Sequence, residues 1–262
     1  MKEPFKNMKS PHVIAVAGKG GVGKSIITTL LAKVLSENDK YKLLLIDADP
    51  TYPHLSIMLN LKPKKSVERI RSELIQKTLQ KEKVVKEIAE NIDFDVYNAI
   101  EESKSFSLLS IGQPENSGCF CPSNTLLRKV IESISKDFDI VIIDCEAGLE
   151  QISRKVIESI DYLMIITDIS LRSVDTAVSI SKIGKKFTKA EKIGVIINKS
   201  EGDISNIVNQ IKSNGLDLIG IIPRDPRISE LDLNAKPIIL IEQENRSYQK
   251  VKEILSKILS IN

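Results

Sequence analysis

The segment Gly18-Lys19-Gly20-Gly21-Val22-Gly23-Lys24-Ser25 constrains this chain more than any other feature. It satisfies the spacing G-x-x-x-x-G-K-[ST], with an apolar run at 12–17 before it and an amphipathic stretch at 26–36 after it. Glycines let such a loop curl until successive N–H groups point inward. The helix that follows adds its positive end, and the whole becomes a phosphate cradle. On this reading the backbone of Gly20, Gly21, Val22, Gly23, Lys24, Ser25 and Ile26 surrounds the phosphates. The Lys24 ammonium reaches the β- and γ-phosphates, and the Ser25 hydroxyl binds magnesium.

The rest of the chain repeats the strand–helix rhythm. Apolar, β-branched runs fall at 12–17, 42–46, 140–143, 162–167, 193–197 and 216–222, and helical periodicity at 26–36, 125–135, 151–159, 173–187 and 204–213. Runs apolar on both faces belong to a sheet covered on both sides. The expected fold is therefore α/β, a doubly wound, mostly parallel sheet with right-handed crossovers and ligands at the carboxyl ends of its strands. Two stretches break the rhythm. Residues 62–91 are strongly charged and read as one or two solvated surface helices; residues 110–124, rich in Gly, Pro, Ser and Cys, read as an exposed loop. No repeat or low-complexity tail divides the 262 residues, so 1–262 is read as one domain.

Composition excludes several classes. With 42% apolar and 28% charged residues the chain is ordinary and globular, and a net charge of +3 is too small to argue for nucleic acid. No apolar run of spanning length and no secretory h-region is present, and three cysteines without framework spacing suit a reducing compartment. A soluble, cytoplasmic protein is expected.

Two strand exits carry carboxylates. Leu43-Leu44-Leu45-Ile46 runs into Asp47-Ala48-Asp49-Pro50, and Ile140-Val141-Ile142-Ile143 ends in Asp144. Aspartate at a strand exit can simply cap the next helix. Beside a phosphate loop, the second pattern matches a Walker B segment, with Asp144 holding magnesium through water and Gly148 sensing the γ-phosphate. Asp47 is assigned to the same cofactor site.

GKGGVGKS as a whole, with its extra Lys19, resembles the deviant Walker A loop of the MinD, ParA and nitrogenase iron-protein family. The resemblance implies ATP and ADP as ligands and a homodimer that closes on ATP, with Lys19 reaching the partner's phosphates. It implies that Asp49 orients the attacking water, that Asn198 contacts the base beside Lys199, and that Pro223-Arg224 packs on the purine. Asn198-Lys199-Ser200-Glu201 stands one methylene from the N-K-x-D that reads guanine, so ATP follows from the resemblance and not from this motif.

Cys119 and Cys121 form a C-x-C within Ser117-Gly118-Cys119-Phe120-Cys121-Pro122. Two thiolates one residue apart can chelate a soft metal, and a two-fold axis would join two such pairs into one four-thiolate site. Alone the pair is equally readable as two small structural cysteines. The segments SGCFCPSNTLLRKV and IIDCEAGLEQISR, however, resemble CooC-type ATPases, which insert nickel into carbon monoxide dehydrogenase and acetyl-CoA synthase. That resemblance implies nickel (or zinc in its place) held between subunits by Cys119 and Cys121. It also implies delivery to a client nickel enzyme. Cys145 stands where that family has methionine and is read as buried and inert. Two alternatives remain open at this stage. One is an iron–sulfur carrier or reductase of the nitrogenase iron-protein kind. The other is a MinD-type membrane-associated regulator, suggested by the apolar stripe Tyr248, Val251, Ile254, Leu255, Ile258, Leu259. A final helix docked on the sheet gives the same stripe and is the reading preferred here, so a membrane partner is not expected.

Overall fold

A computed structural model describes residues 11–37, 40–49, 52, 54–80, 85–113, 121–145, 159–188 and 190–260. Its centre is an eight-stranded sheet. The strands are β1 (His12–Gly18), β2 (Leu43–Asp47), β3 (Glu101–Glu102), β4 (Ser107–Ser110), β5 (Ile140–Asp144), β6 (Tyr162–Thr167), β7 (Lys192–Ser200) and β8 (Leu218–Pro223). Their order across the sheet is β3-β4-β2-β5-β1-β6-β7-β8. Every pairing is parallel except β3 with β4, so the expected mostly parallel, doubly wound sheet is what forms.

The expected runs account for six of these strands. The edge pair β3–β4 is additional, and Ser110, expected in an exposed loop, is the buried last residue of β4. Parallel strands need long crossovers, and helices supply them on both faces. One layer contains α1 (Lys24–Ser36), α2 (His54–Met58), α8 (Pro226–Leu233) and α9 (Arg246–Ser260). The other contains α3 (Val67–Gln80), α4 (Val85–Asn98), α5 (Cys121–Ser135), α6 (Leu171–Phe187) and α7 (Ser205–Ser213).

The side chains sort by the period of two along each strand. Ile14, Val16, Leu43, Leu45, Leu108, Ile140 and Ile142 pack with Ile27, Leu30 and Leu31 of α1. Val13, Ala15, Leu44, Ile46, Val141 and Ile143 pack on the opposite layer. Tyr248, Val251, Ile254, Leu255 and Ile258 of α9 belong to the first of these cores and are buried. These five residues of the C-terminal stripe are thus spent on docking α9 against α1 and β8, as the periodicity favoured over a lipid surface; the side chain of Leu259 lies outside the described residues. Among the described residues no helix is long and apolar enough to cross a membrane.

The charged stretch corrects one expectation. It does form helices, α3 and α4, but α3 is not wholly solvated. Val67 and Ile70 enter the core, and Arg71 Nε lies 2.7 Å from Glu68 Oε2 with both side chains buried. The Glu68 N–H donates to Ile111 O (2.9 Å), and the Ile111 N–H donates to Asp47 O (2.8 Å). The start of α3 is therefore stitched through Ile111 to the carboxyl end of β2. A second difference concerns α5, which begins at Cys121, within the stretch 110–124 expected to be loop. Pro122 is compatible with this because the first helical turn needs no N–H from it.

Candidate functional site

The carboxyl edge of the sheet gathers the predicted residues. Gly18 closes β1 against β6: a Cβ there would lie 2.3 Å from Ile166 O, so no larger residue fits. Gly23, at φ +93°, turns the chain into α1 as its N-cap and offers no side-chain cap. The first turn of α1 holds no acidic residue either, so its N–H groups and positive end remain available to an anion. The loop and the helix start thus lie where the spacing predicted them. The Lys24 ammonium folds back over the loop, its Nζ 3.5 Å from the main-chain carbonyl oxygen of Lys19.

A clamp from β7 holds the cradle from behind. Asn198 Nδ2 donates to Val22 O at 2.8 Å, and Lys199 Nζ donates to Gly21 O at 2.9 Å. Lys199 reaches this position with φ +55°, a left-handed backbone uncommon outside glycine and frequent at functional sites. Gly23 again leaves no room: a Cβ would stand 2.5 Å from Asn198 Nδ2. The sequence reading assigned Asn198 to the base and missed that its amide supports the phosphate loop.

Both residues also line a cavity of about 280 Å³ beside α1, with Ile26, Leu30, Pro223 and Arg224. Apolar walls with a few polar groups suit a purine. Arg224 Nε is 3.4 Å from Glu201 Oε2, so the last residue of the N-K-S-E run faces an arginine. Both side chains are exposed, and such a pair contributes little to stability.

The carboxylates come together as direct neighbours. Asp47 on β2 and Asp144 on β5 are paired in register, and both are buried. Burial pushes the Asp47 carboxyl up to about 8, and the nearby charge of Asp144 adds to the rise. The Asp49 N–H donates to Asp47 Oδ1 at 3.2 Å and opposes it. Burial also raises Asp144, to about 6, against the pull of the Ser25 hydroxyl and the Lys24 ammonium. One oxygen of each, Asp47 Oδ2 and Asp144 Oδ1, is buried without a hydrogen-bond partner. Two costly, half-satisfied carboxyls beside a serine and a phosphate cradle fit a hydrated hard divalent cation such as magnesium.

Cys145, next in the chain, is fully buried. Burial and the Asp144 charge push its thiol well above the ordinary range, in keeping with an inert side chain. His54 opens α2 with its ring near Tyr52, and His12 sits at the opposite edge of the sheet with Nδ1 3.6 Å from Asp161 Oδ2. Asp49 is half-buried immediately beyond β2. Gly148 and Cys119 lie outside the described residues, as does the side chain of Cys121. Among the described residues no cluster of three or more His, Cys, Asp or Glu could hold a metal ion.

The sequence profile described as the CobQ/CobB/MinD/ParA nucleotide binding domain matches residues 13–238, from the first strand to beyond α8. The chain belongs to this family. Within the CobQ/CobB/MinD/ParA family it is 38% identical, over 95% of its length and 98% of the relative's, to an uncharacterised ATP-binding protein of Methanocaldococcus jannaschii. It is 32% identical to the carbon monoxide dehydrogenase accessory protein CooC of Rhodospirillum rubrum, over 84% of this chain and 86% of that one. The septum site-determining protein MinD of Pyrococcus horikoshii, solved with Mg-ADP, superposes with a TM-score of 0.69 at 21% identity, covering 95% of this chain and 96% of that chain. The fold is thus that of the family's P-loop ATPases.

Proposed function

We propose that this family member is a homodimeric ATPase of the reducing cytoplasm that carries nickel to a carbon monoxide dehydrogenase or acetyl-CoA synthase. Hydrolysis is supported above all by the placement of Asp47 and Asp144 beside Lys24 and Ser25 at an uncapped helix start. Phosphoryl transfer needs little more than positioning and charge stabilisation, and these groups supply both. Backbone N–H groups from Gly20 to Ile26 bind the phosphates, and Lys24 takes the β/γ oxygens. Ser25, Asp144 and Asp47 would hold magnesium, directly or through water; when bound it neutralises charge on the phosphate oxygens. Asp49 orients the attacking water, Gly148 senses the γ-phosphate, and Lys19 reaches across to the partner's nucleotide. Asn198, Lys199, Pro223 and Arg224 surround the base. Residues 1–262 act as one domain.

The cargo role rests on the likeness to CooC together with the C-x-C motif, whose second cysteine is the first residue of α5. Cys119 and Cys121 from two subunits form a four-thiolate site for nickel, or for zinc in its absence, so that dimer closure and metal affinity rise together. The burial of the C-terminal stripe speaks against a membrane-anchored regulator.

The test adds nickel, and separately zinc, to reduced anaerobic protein with and without ATP. Metal stoichiometry and oligomeric state are read for wild type and the Cys119→Ser/Cys121→Ser double variant. One metal per dimer, lost in the variant, is the expected result. Equal binding by both proteins would make the C-x-C structural and remove the cargo role, leaving the ATPase.

A further inference from the structure

The carboxyl edge of the sheet carries a third polar residue that no motif marks. Ser110 ends β4 in register with Asp47, which is in register with Asp144; the three form a row across β4, β2 and β5. Leu108, Leu45 and Ile142, two residues earlier on each strand, pack with α1, so period two turns the whole row toward α1. From α1, Thr28 meets this row beside Asp144, one turn beyond Ser25.

Ser110 Oγ, Asp47 Oδ2 and Asp144 Oδ1 are buried here without a hydrogen-bond partner, and Thr28 Oγ1, although it faces Asp144, makes no bond of good geometry. Ser110 is only 4% exposed. A single unmet buried hydroxyl costs about 1–3 kcal/mol, and native proteins rarely keep several together without water or an ion to satisfy them. A buried water needs two to four polar partners, and adjacent strands bring the two residues of each pair to within about 5 Å.

We propose that Ser110 is a positioning residue of the nucleotide site: through a bound water it orients the free oxygen of Asp47 and so completes the outer shell of the magnesium held with Ser25 and Asp144. This rests on the nucleotide-site reading given above. Ser110 touches neither nucleotide nor ion; it acts through Asp47, as outer-shell partners act on ligands elsewhere. Neighbouring geometry supports the assignment. Asp47 Oδ1 accepts the Asp49 N–H and the Leu55 N–H also lies near the carboxylate, yet Oδ2 has no partner of good geometry, and Ser110 is its neighbour on the side away from Asp144.

The experiment follows binding of a fluorescent ADP analogue to the full chain as magnesium is raised, and separately in EDTA, for wild type, Ser110→Ala and Ser110→Thr. Melting of the nucleotide-free and magnesium-free proteins is recorded alongside. Ser110→Ala is expected to need about 10-fold more magnesium. Its EDTA-state affinity and its melting temperature stay at the wild-type values, and Ser110→Thr, which keeps the hydroxyl, restores the wild-type magnesium response. A Ser110→Ala protein with a wild-type magnesium titration overturns the proposal. So does one that melts lower and is not rescued by threonine, because Ser110 would then be a packing residue. If wild type itself shows no magnesium-dependent nucleotide binding, the nucleotide-site reading falls first and takes this one with it.

Discussion

Asp47 and Asp144 stand opposite each other in register at the ends of adjacent parallel strands, each buried and each with one carboxylate oxygen unmatched. Two like charges so close cannot both be formed cheaply without a cation. The pair is costly to the fold unless a cation offsets its charge.

A pH dependence follows. Both groups titrate above their ordinary value, Asp144 at about 6 and Asp47 at about 8, so the fold disfavours their ionised forms. Well below the unfolded value both states are protonated and the pair leaves stability unchanged. As pH rises toward 8 the unfolded chain sheds these protons first, so the pair lowers stability, and the loss is complete only above the folded values. In magnesium-free buffer Asp47→Asn is expected to gain on wild type as pH rises from about 5 to 8, each kcal/mol appearing as about 2–4 °C in melting temperature. Stabilisation of wild type by magnesium should grow over the same range. Melting curves of both proteins across pH settle it; a gap independent of pH would mean that the two carboxyls ionise normally.

Lys19→Ala separates binding from turnover. Its side chain stands in the loop without being needed for the backbone cradle, so ADP affinity should change by no more than about 3-fold. Phosphate release should fall by about 10³, as for other cations donated across an interface. Phosphate release and ATP-dependent elution as a dimer are the measurements. Undiminished turnover would place Lys19 outside the reaction.

Asn198→Ala strikes the clamp instead. It leaves Val22 O, buried behind the phosphate loop, without its donor at 2.8 Å, a loss of about 1–3 kcal/mol. Nucleotide affinity should drop by about 5- to 100-fold, with stability of the empty protein lowered as well. Lys199→Ala, which removes a solvent-exposed bond, should do less on both counts. Calorimetric titration with ADP compares them, and equal effects would show that the buried amide is not the stronger half of the clamp.

Arg71→Leu should destabilise the fold by up to about 3–5 kcal/mol, because the buried Glu68 loses the guanidinium 2.7 Å away. The Glu68→Leu/Arg71→Leu double variant should recover much of that loss. Urea denaturation reads both. A double variant worse than the single one would show that the pair contributes more than mutual neutralisation.

The parts legible in the sequence were those with local signatures. β1, β2 and β5 to β8 announce themselves as runs apolar on both faces, and the phosphate loop by its glycine spacing. Asp47 and Asp144 were legible because each ends such a run. β3 and β4 were not: one is two residues long, and the other begins and ends in serine. The start of α5 was hidden by the turn-like Cys121-Pro122-Ser123-Asn124. Contacts between distant segments were hidden as well. Asn198 meets Val22 across 176 positions, and only the sheet order reveals that Ser110 shares a row with Asp47. Thr28 left a faint signal, three positions beyond Ser25 on one helix face.

The Ile111 stitch has an architectural consequence. Its N–H is tied to Asp47 O and its carbonyl to the Glu68 N–H, so the chain leaves the sheet toward Cys119 from a point anchored on both sides. Both bonds run from main chain to main chain, so this brace on the end of β2 does not depend on the side chain at position 111. Asp47 is thereby held at its place in the carboxylate row by the backbone of two neighbouring segments.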